Sequence, residues 1–291
     1  MPSRRCAVTI IGAGSVGTSL AGVLPKTSFK IQRVISADGK SARALAGKFH
    51  SKESGALHDG WKEWEGIIFI AVPDDEIANV AVQLALMQES FRGSIVFHLS
   101  GALTSDILKP LKKKGAAVGS FHPLQTFPIR NDGRNVWKDI GIALEGDRNA
   151  VRAGERIARS LRARPFIIRS KEKTLYHIAA VFGSNYVVTL FSIVEELGRI
   201  AGLPRGKTVS IFAPLVRTTI ANVERYSPKI ALTGPIARGD VRTIRKHIAE
   251  LSRRKMKDIL SLYILLGYHT AHLAFQKKSR INVHARRLPH P

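Results

Sequence analysis

Apolar runs alternate with helix-like patterns along the first 170 residues of the chain. "AVTIIGA" at 7–13 reads as a β-strand, a helix-like pattern follows from about Ser15 to Leu24, and "KIQRVIS" at 30–36 gives a second strand. "GIIFIAVP" at 66–73 is continuously apolar, which is typical of a strand buried on both faces. The alternation predicts a parallel sheet with crossover helices. The remaining strand-like runs are "GSIVFHLSG", "AAVGSFHP", "DIGIALEG" and "PFIIRS", at 93–101, 116–123, 139–146 and 165–170.

After Ser170 the strand pattern stops and long helix-like patterns follow. A single helix is expected from Lys171 to about Ala201, where Gly202 and Pro204 supply stop signals. Because 291 residues suit two domains, we predict a sheet domain at 1–169, an all-α domain at 170–276 and a basic disordered tail at 277–291. The other expected helices cover about 206–226, 240–252 and 253–276, with a long loop at 227–240.

The stretch "IAAVFGSNYVVTLFSIV" at 178–194 is uncharged. It is shorter than the roughly 20 apolar residues that span a bilayer, and it carries Ser184 and Asn185. We therefore expect a buried helix and no membrane association.

Three glycines follow the first predicted strand, in "VTIIGAGSVG". Their spacing and their place between a strand and a helix fit the dinucleotide fingerprint, in which a tight turn brings pyrophosphate to a helix N-terminus. The expected cofactor turn consists of Gly12, Ala13, Gly14, Ser15, Val16 and Gly17.

The end of the second strand distinguishes NADP from NAD, because an acid there binds the ribose 2′-hydroxyl and repels a 2′-phosphate. Ser36, Lys40 and Arg43 could together hold a phosphate, which favours NADP. Asp38 is the competing feature and favours NAD, although Asp38-Gly39 also fits a turn.

Ligands of open α/β sheets bind beyond the carboxyl ends of the strands. Two predicted strands end near Val72 and Pro73 and near Ser100 and Gly101, so these residues should border the cofactor. His122 ends another strand and could face the same crevice, with Gln125 as polar lining. His98 is expected to be packed at its strand end.

Several longer motifs carry a family resemblance: "AVPDDEI", "HLSGALTSDILKPLKKKGAAVGSFHPLQTF", "KTLYHIAAVFGSNYVV" and "ALTGPIARGD". With them the chain from Val8 to about Ala274 resembles Rossmann-like proteins that carry the C-terminal domain of unknown function 2520. The resemblance implies an α/β fold, with an N-terminal Rossmann doubly wound parallel sheet followed by an all-α domain. It also implies an NADP-dependent, dimeric oxidoreductase related to pyrroline-5-carboxylate reductase, ketopantoate reductase and 6-phosphogluconate dehydrogenase-like enzymes. Relatives often have Ser-Arg-Ser where this chain has Ser36-Ala37-Asp38, which weakens the NADP assignment.

Helical spacing places Lys173, His177 and Ser184 on one face, with Asn185 at its border. In the resembled superfamily, a lysine and an asparagine on the first helix after the Rossmann domain point at substrate. We therefore expect Lys173 to donate a proton or stabilise an anion. The alternatives are an ordinary solvated lysine and, for His177, a core histidine.

The segment "LTGPIARGD" supplies candidate substrate ligands in the helical domain. Arg238 could bind a carboxylate bidentately, and Thr233 and Asp240 lie beside it. The alternative is that Asp240 caps the next helix and pairs with Arg238.

The charge is strongly positive, with 46 Lys+Arg against 22 Asp+Glu and a formal net charge of +24. The positive residues are spread along the chain and are not interleaved with aromatic residues, so we expect a solvated basic surface and not a nucleic-acid site. The single cysteine, Cys6, excludes an intrachain disulfide framework and favours the cytoplasm. No metal site is expected, because no ligand-spaced histidine pair is present.

The sequence thus predicts a cytoplasmic, homodimeric NADP-dependent reductase. Its expected substrate is a small anionic 2-oxo acid such as ketopantoate, or a cyclic imine. A non-catalytic dinucleotide-binding sensor or scaffold is the alternative.

Overall fold

A computed structural model describes residues 6–49, 51–61, 63–127 and 136–285. The chain divides into two compact units, Met1–Asn185 and Tyr186–Pro291. The first unit ends at Asn185 and so includes the helix Lys173–Gly183, which lies after the predicted boundary at residue 169. The limits of the predicted domains stay predictions.

The first unit is built on one eight-stranded sheet with the order β3-β2-β1-β4-β5-β6-β7-β8. Its first six strands follow the 3-2-1-4-5-6 order of the doubly wound nucleotide-binding fold, which confirms the predicted fold class. The strands are β1 (Cys6–Ile11), β2 (Phe29–Ser36), β3 (Glu53–Ala56), β4 (Ile67–Ile70), β5 (Ile95–His98), β6 (Ala117–Pro123), β7 (Gly141–Gly146) and β8 (Arg164–Ile167).

The structure corrects the sheet prediction in two respects. Strand β3 was missed because its sequence, "ESGA", lacks the β-branched and aromatic residues that mark strands. Strand β7 pairs with β6 antiparallel, and β8 runs parallel to β7, so the sheet is not entirely parallel. An antiparallel neighbour needs no crossover helix, and no described helix lies between β6 and β7.

Two hydrophobic clusters cover the two faces of the sheet. One contains Leu20 and Ile157 from flanking helices, and the other contains Ile77, Leu84 and Leu111. In the first cluster the rings of Phe69, Phe97 and Phe121 from adjacent strands have centroids 5.4–5.7 Å apart. The helices of this unit are α1 (Ser15–Val23), α2 (Lys40–Phe49), α3 (Ile77–Met87), α4 (Lys109–Lys113), α5 (Arg148–Ser160) and α6 (Lys173–Gly183).

The second unit is helical throughout its described part. The helices are α7 (Asn185–Ile200), which begins at the last residue of the first unit, α8 (Thr208–Ala231), α9 (Pro235–Arg238), α10 (Val241–Arg253) and α11 (Lys257–Ala285). Three predictions were wrong here. The expected continuous helix from Lys171 is interrupted at Ser184, where φ is −129° and ψ is −70°. The expected loop at 227–240 contains the end of α8 and all of α9. The tail expected to be disordered from Lys277 is helical as far as Ala285, and its last residues lie outside the described part.

The apolar stretch around Ser184 is also exposed, which contradicts the prediction of a buried helix. Phe182 and Val188, for example, are 63% and 69% exposed. By length and composition alone, Ser170–Ile200 would suffice to cross a membrane.

Candidate active site

The three glycines of the first turn differ in what surrounds the position that a side chain would occupy. Gly12 has a φ of +111°, and a Cβ there would lie 2.2 Å from the carbonyl oxygen of Ala71. A Cβ on Gly17 would lie 2.0 Å from the carbonyl oxygen of Gly12, so helix α1 packs directly on the turn. Gly14 has an ordinary φ of −74°, and a Cβ there would meet nothing within 4 Å. Contacts within the protein therefore require glycine at positions 12 and 17. No such contact requires it at Gly14, where the missing side chain leaves room for a ligand.

A cavity of about 690 Å³ opens beside this turn at the carboxyl ends of β1, β2 and β4. The expected cofactor residues that line it are Gly12, Ala13, Gly14, Ser36, Val72 and Pro73. Ser15, Val16 and Gly17 are not part of its lining and belong to the first turn of α1. The exposed end of a helix beside a glycine turn suits an anion such as pyrophosphate.

At the end of β2, Ser36 and Asp38 build the turn that leads into α2. The Asp38 carboxylate accepts hydrogen bonds from the backbone N–H of Lys40 and Ser41 and from the Ser36 hydroxyl, at 3.1–3.4 Å. The backbone bond from Ser41 and the bond from Ser36 lower the pKa of Asp38. Its carboxylate therefore organises the turn, although the residue also lines the cavity.

Lys40 and Arg43 are exposed residues of α2 that do not line the cavity. The Arg43 guanidinium nevertheless lies against the turn, because its Nη1 is 2.9 Å from the place of a Cβ on Gly39. His58, which sequence reasoning missed, lines the cavity from the segment after β3. A histidine in a polar segment after an unrecognised strand gives no local signal.

A second cavity, of about 850 Å³, lies where β6 ends and α6 passes. Its lining includes five of the expected site residues: His122, Gln125, His177, Ser184 and Asn185. It also includes Tyr176 and Phe166, whose rings are in edge contact with centroids 5.9 Å apart. The interruption of the helix at Ser184 is thus part of a cavity wall.

His122 and Tyr176 form a hydrogen-bonded pair in this cavity, with 2.8 Å between Nδ1 and the phenolic oxygen. Burial, followed by the charge of Lys173 and then His177, lowers the pKa of His122 to about 4. Burial raises the pKa of Tyr176 to about 12. At neutral pH the imidazole is therefore uncharged and the phenol keeps its proton.

Lys173 is 1% exposed and lies inside the first unit instead of lining the cavity. Its ammonium donates to the carbonyl oxygen of Ser100 at 2.9 Å and to the Ser120 hydroxyl. Burial lowers its pKa to about 8, and the charges of Glu145 and Asp74 act against that shift. It is therefore not an ordinary solvated lysine.

Glu145 is a buried carboxylate that sequence reasoning missed. It is 4% exposed and accepts three hydrogen bonds of 2.8 Å, from the backbone and hydroxyl of Ser105 and from the Ser170 hydroxyl. These bonds hold the carboxylate in place, and its negative charge acts through space to raise the pKa of Lys173.

The segment Ser100–Gly101 contacts a residue next to the first cavity and two residues that line the second. The Ser100 hydroxyl donates to Asp74 at 2.7 Å, one residue beyond Pro73 of the first cavity. On its other side, a Cβ on Gly101 would lie 2.5 Å from His177 Nδ1 and 2.7 Å from His122 Nε2. Gly101 is thus a place where only a glycine lets the backbone approach both histidines.

His98 is fully buried at the end of β5, as expected. Its Nδ1 accepts a hydrogen bond from the Ser100 N–H at 3.2 Å. Burial, with a further contribution from the Lys173 charge, lowers its pKa to about 3. His98 is therefore a neutral group that holds the Ser100–Gly101 segment in place through this hydrogen bond.

The two halves of the chain match two family models. Residues 1–123 match a Rossmann-like domain, and residues 140–270 match a domain of unknown function, DUF2520. The chain is a Rossmann-like protein with a DUF2520 domain. The resemblance noted from the sequence motifs is confirmed.

Solved structures similar to this Rossmann-like DUF2520 protein include protein TM1727 from Thermotoga maritima, at 26% identity and a TM-score of 0.72, covering 93% of this chain and 99% of that one. Another is BF3122 from Bacteroides fragilis, assigned as an NADP oxidoreductase, at 25% identity and a TM-score of 0.74, covering 92% and 99%. Pyrroline carboxylate reductase from Plasmodium falciparum with NADP bound shares the fold at 12% identity and a TM-score of 0.60, covering 93% and 99%. A comparison with curated protein sequences finds no match.

The remaining candidates belong to the second unit. Thr233 and Arg238 are exposed. Asp240 accepts hydrogen bonds from the N–H and hydroxyl of Thr243, at 3.0 and 2.7 Å, and these bonds lower its pKa. The capping alternative is therefore what the structure shows for Asp240, while Arg238 keeps its guanidinium in solvent.

Proposed function

We propose that this protein is an NADP-dependent oxidoreductase that reduces a carbonyl or imine carbon. The observation that carries the proposal is the open space at Gly14, beside a glycine turn and a helix N-terminus. A second cavity is lined by His122 and His177, which lie against Gly101. The similarity to the Bacteroides fragilis NADP oxidoreductase supports it.

The residues around the first cavity fit NADP. The backbone at Gly12–Gly14 would hold the pyrophosphate. Arg43, whose guanidinium lies against the Gly39 turn, would hold the 2′-phosphate, and Lys40 lies one residue beyond Gly39. The Ser36 hydroxyl donates its proton to Asp38, so its part is to shape the turn. Asp38 uses its carboxylate within the turn, which reduces its value as a ligand for the ribose of NAD.

When bound, NADPH supplies a hydride, and Val72, Pro73, Ser100 and Gly101 would border its reactive end. The substrate would then occupy the cavity lined by His122 and Tyr176. As the carbon receives the hydride, its oxygen or nitrogen must receive a proton.

Tyr176 is the proton donor in this proposal. Tyr176 lines the cavity, and its pKa of about 12 keeps the phenol protonated at neutral pH. The proton passes to the substrate heteroatom, and neutral His122, as its Nδ1–H tautomer, stabilises the resulting phenolate before water restores the proton.

Of the two roles predicted for Lys173, proton donor or anion stabiliser, we keep the second in this proposal. It is buried beneath Ser100, and its charge reaches His122 strongly enough to lower that pKa. A fixed positive charge near the reacting atoms favours the negative charge that develops during reduction.

The substrate in this proposal is a small anionic 2-oxo acid, ketopantoate being the first example, or a cyclic imine. Gln125, Ser184 and Asn185 supply hydrogen-bonding groups in the second cavity. Arg238 and Thr233, which are exposed residues of the helical unit, stay the predicted carboxylate ligands.

An NADPH-oxidation screen across 2-oxo acids and cyclic imines tests this function. Oxidation that is lost in Gly14→Leu supports the proposal. NADPH binding without oxidation of any compound would support the alternative, a dinucleotide-binding sensor or scaffold.

The assembly in this proposal is a homodimer formed through the helical domain, in the cytoplasm. Large apolar side chains of the helical unit are exposed, including Val188, Leu215, Tyr268 and Phe275 at 63–70%. Sedimentation velocity should show a dimer that dissociates in Leu215→Glu. The matched control is Leu86→Glu, since Leu86 is an 82% exposed leucine of α3. A monomeric wild type would contradict this assembly.

A further inference from the structure

Helix α5 has an apolar face and an arginine face. Ala150, Ala153 and Ile157 are buried against the sheet. Arg152, Arg156 and Arg159 recur at intervals of four and three residues, which places them together on one side of the helix. None of them is needed for the packing of the buried face.

This arginine face borders a cavity of about 660 Å³ at the edge of the sheet opposite to the glycine turn. Ser94 and Ile95 at the beginning of β5 and Ala117 at the beginning of β6 line it. The glycine-turn cavity is formed instead where strands end. The two cavities are therefore separate sites on opposite edges.

The wall that faces the arginines is small and without charge. It includes Gly93 and Gly115, whose φ angles are +83° and +96°. A Cβ on Gly93 would meet nothing within 4 Å, so the backbone is open to the cavity there. A ligand could thus approach the main chain on one side and guanidinium groups on the other.

The charge of this cavity is not balanced by the protein. Its lining contains three arginines and one carboxylate, Glu155, which lies 3.4 Å from Arg159. Within the described residues, no carboxylate lies within 4.0 Å of Arg152 or Arg156. Arg156 also acts on the Cys6 thiol, where its charge opposes the rise in pKa caused by burial. The positive potential therefore extends from α5 toward the beginning of β1.

We propose that this arginine cavity binds a small molecule carrying two or more phosphate groups. Guanidinium groups pair bidentately with phosphate oxygens, and a multiply charged ligand would neutralise Arg152 and Arg156 together. A volume of about 660 Å³ is in the range of small-molecule sites. The site is independent of the proposed reductase activity.

Inorganic triphosphate is the probe, titrated calorimetrically into the full-length protein and, in parallel, into Gly14→Leu, whose glycine-turn cavity is blocked. We expect Arg152→Ala/Arg156→Ala to weaken triphosphate binding at least tenfold. The matched control is Arg242→Ala/Arg245→Ala, which removes the same charge from exposed positions of α10 and should change affinity less than twofold. Arg152→Lys/Arg156→Lys keeps the charge but removes the guanidinium groups that bind phosphate bidentately, so it should also weaken binding. Circular dichroism spectra check that each variant is folded.

Four outcomes would overturn the proposal. The first is no binding of triphosphate by the wild-type protein at millimolar concentration. The second is equal weakening in the α5 and α10 variants, which would indicate a general charge effect. The third is tighter binding of an oligonucleotide through the same arginines, which would indicate a nucleic-acid surface. The fourth is loss of triphosphate binding in Gly14→Leu, which would place the ligand in the glycine-turn cavity.

Discussion

The two cavities of the proposed active site are built in different ways. The decisive feature of the glycine-turn cavity belongs to the main chain: it is the absence of a side chain at Gly14. The second cavity, lined by His122 and Tyr176 and called the His122 cavity below, is formed by side chains from separate segments. The hydrogen bond between Tyr176 and His122 joins residues that are 54 positions apart. The first cavity depends on the local backbone conformation of the glycine turn, and the second depends on how distant segments pack together. Substitutions in the first cavity should therefore change NADPH binding, and substitutions in the second should change turnover.

The largest effect is expected at Gly14. Gly14→Leu should abolish NADPH binding and leave the fold intact, because φ is ordinary and a Cβ meets nothing within 4 Å. Titration calorimetry measures the binding, and thermal unfolding measures the stability. The contrast is Gly17→Leu, which should destabilise the protein because its Cβ would lie 2.0 Å from the Gly12 carbonyl oxygen. Unchanged NADPH affinity in Gly14→Leu would reject the cofactor site.

Tyr176→Phe should have the next largest effect, on turnover alone. Loss of a general acid typically slows a reaction by about a hundredfold or more. The phenyl ring keeps its edge contact with Phe166, so NADPH affinity and stability should stay near the wild-type values. Steady-state kinetics on the substrate found by screening makes the measurement. A turnover equal to that of the wild type would exclude Tyr176 as the donor.

Lys173→Ala should reduce turnover by about a hundredfold, the usual effect of removing one well-placed charge or donor near a developing anion. NADPH affinity should be nearly unchanged. In the wild type the rate should fall as pH rises through about 8, because the ammonium loses its proton there. Lys173→Arg stays charged and should lack this fall. A wild-type rate that is flat from pH 7 to 9.5 would argue against the charge of Lys173 in the mechanism.

The smallest effect is expected on cofactor preference. Arg43→Ala should reduce the preference for NADPH over NADH by about tenfold to a hundredfold, since one charge-assisted hydrogen bond contributes about 1.5–3 kcal/mol. Calorimetry with both cofactors gives the ratio. The control is Lys48→Ala, which removes one positive charge from an exposed position in the last turn of α2, away from the Gly39 turn. Wild-type protein that prefers NADH would assign the site to Asp38.

The glycine turn was predictable because its determinants are local: a strand, three glycines and a helix lie within one short segment. Strand β3 was not predictable, because a polar edge strand has no hydrophobic pattern. Strands β7 and β8 were predicted, but their reversed direction was not, because strand direction leaves no mark on composition.

In the His122 cavity the sequence identified His122, His177 and Asn185, but it did not pair His122 with Tyr176. Which side chain of a helix meets a distant strand depends on packing that helical periodicity alone does not specify. For the same reason, Lys173 was expected on the cavity surface and lies beneath it.

The burial of Lys173 implies a trade-off between stability and activity. A buried group whose pKa falls from 10.5 to about 8 resists being charged, and at pH 7 this costs the folded state about 3 kcal/mol, at about 1.4 kcal/mol per pKa unit. Lys173→Met alone would avoid that cost but would leave the Ser100 carbonyl and the Ser120 hydroxyl without their donor and the buried Glu145 carboxylate without a positive charge nearby. Selection for thermostability alone should therefore favour replacing Lys173 and Glu145 together by apolar residues, and the more stable protein that results should be the inactive one.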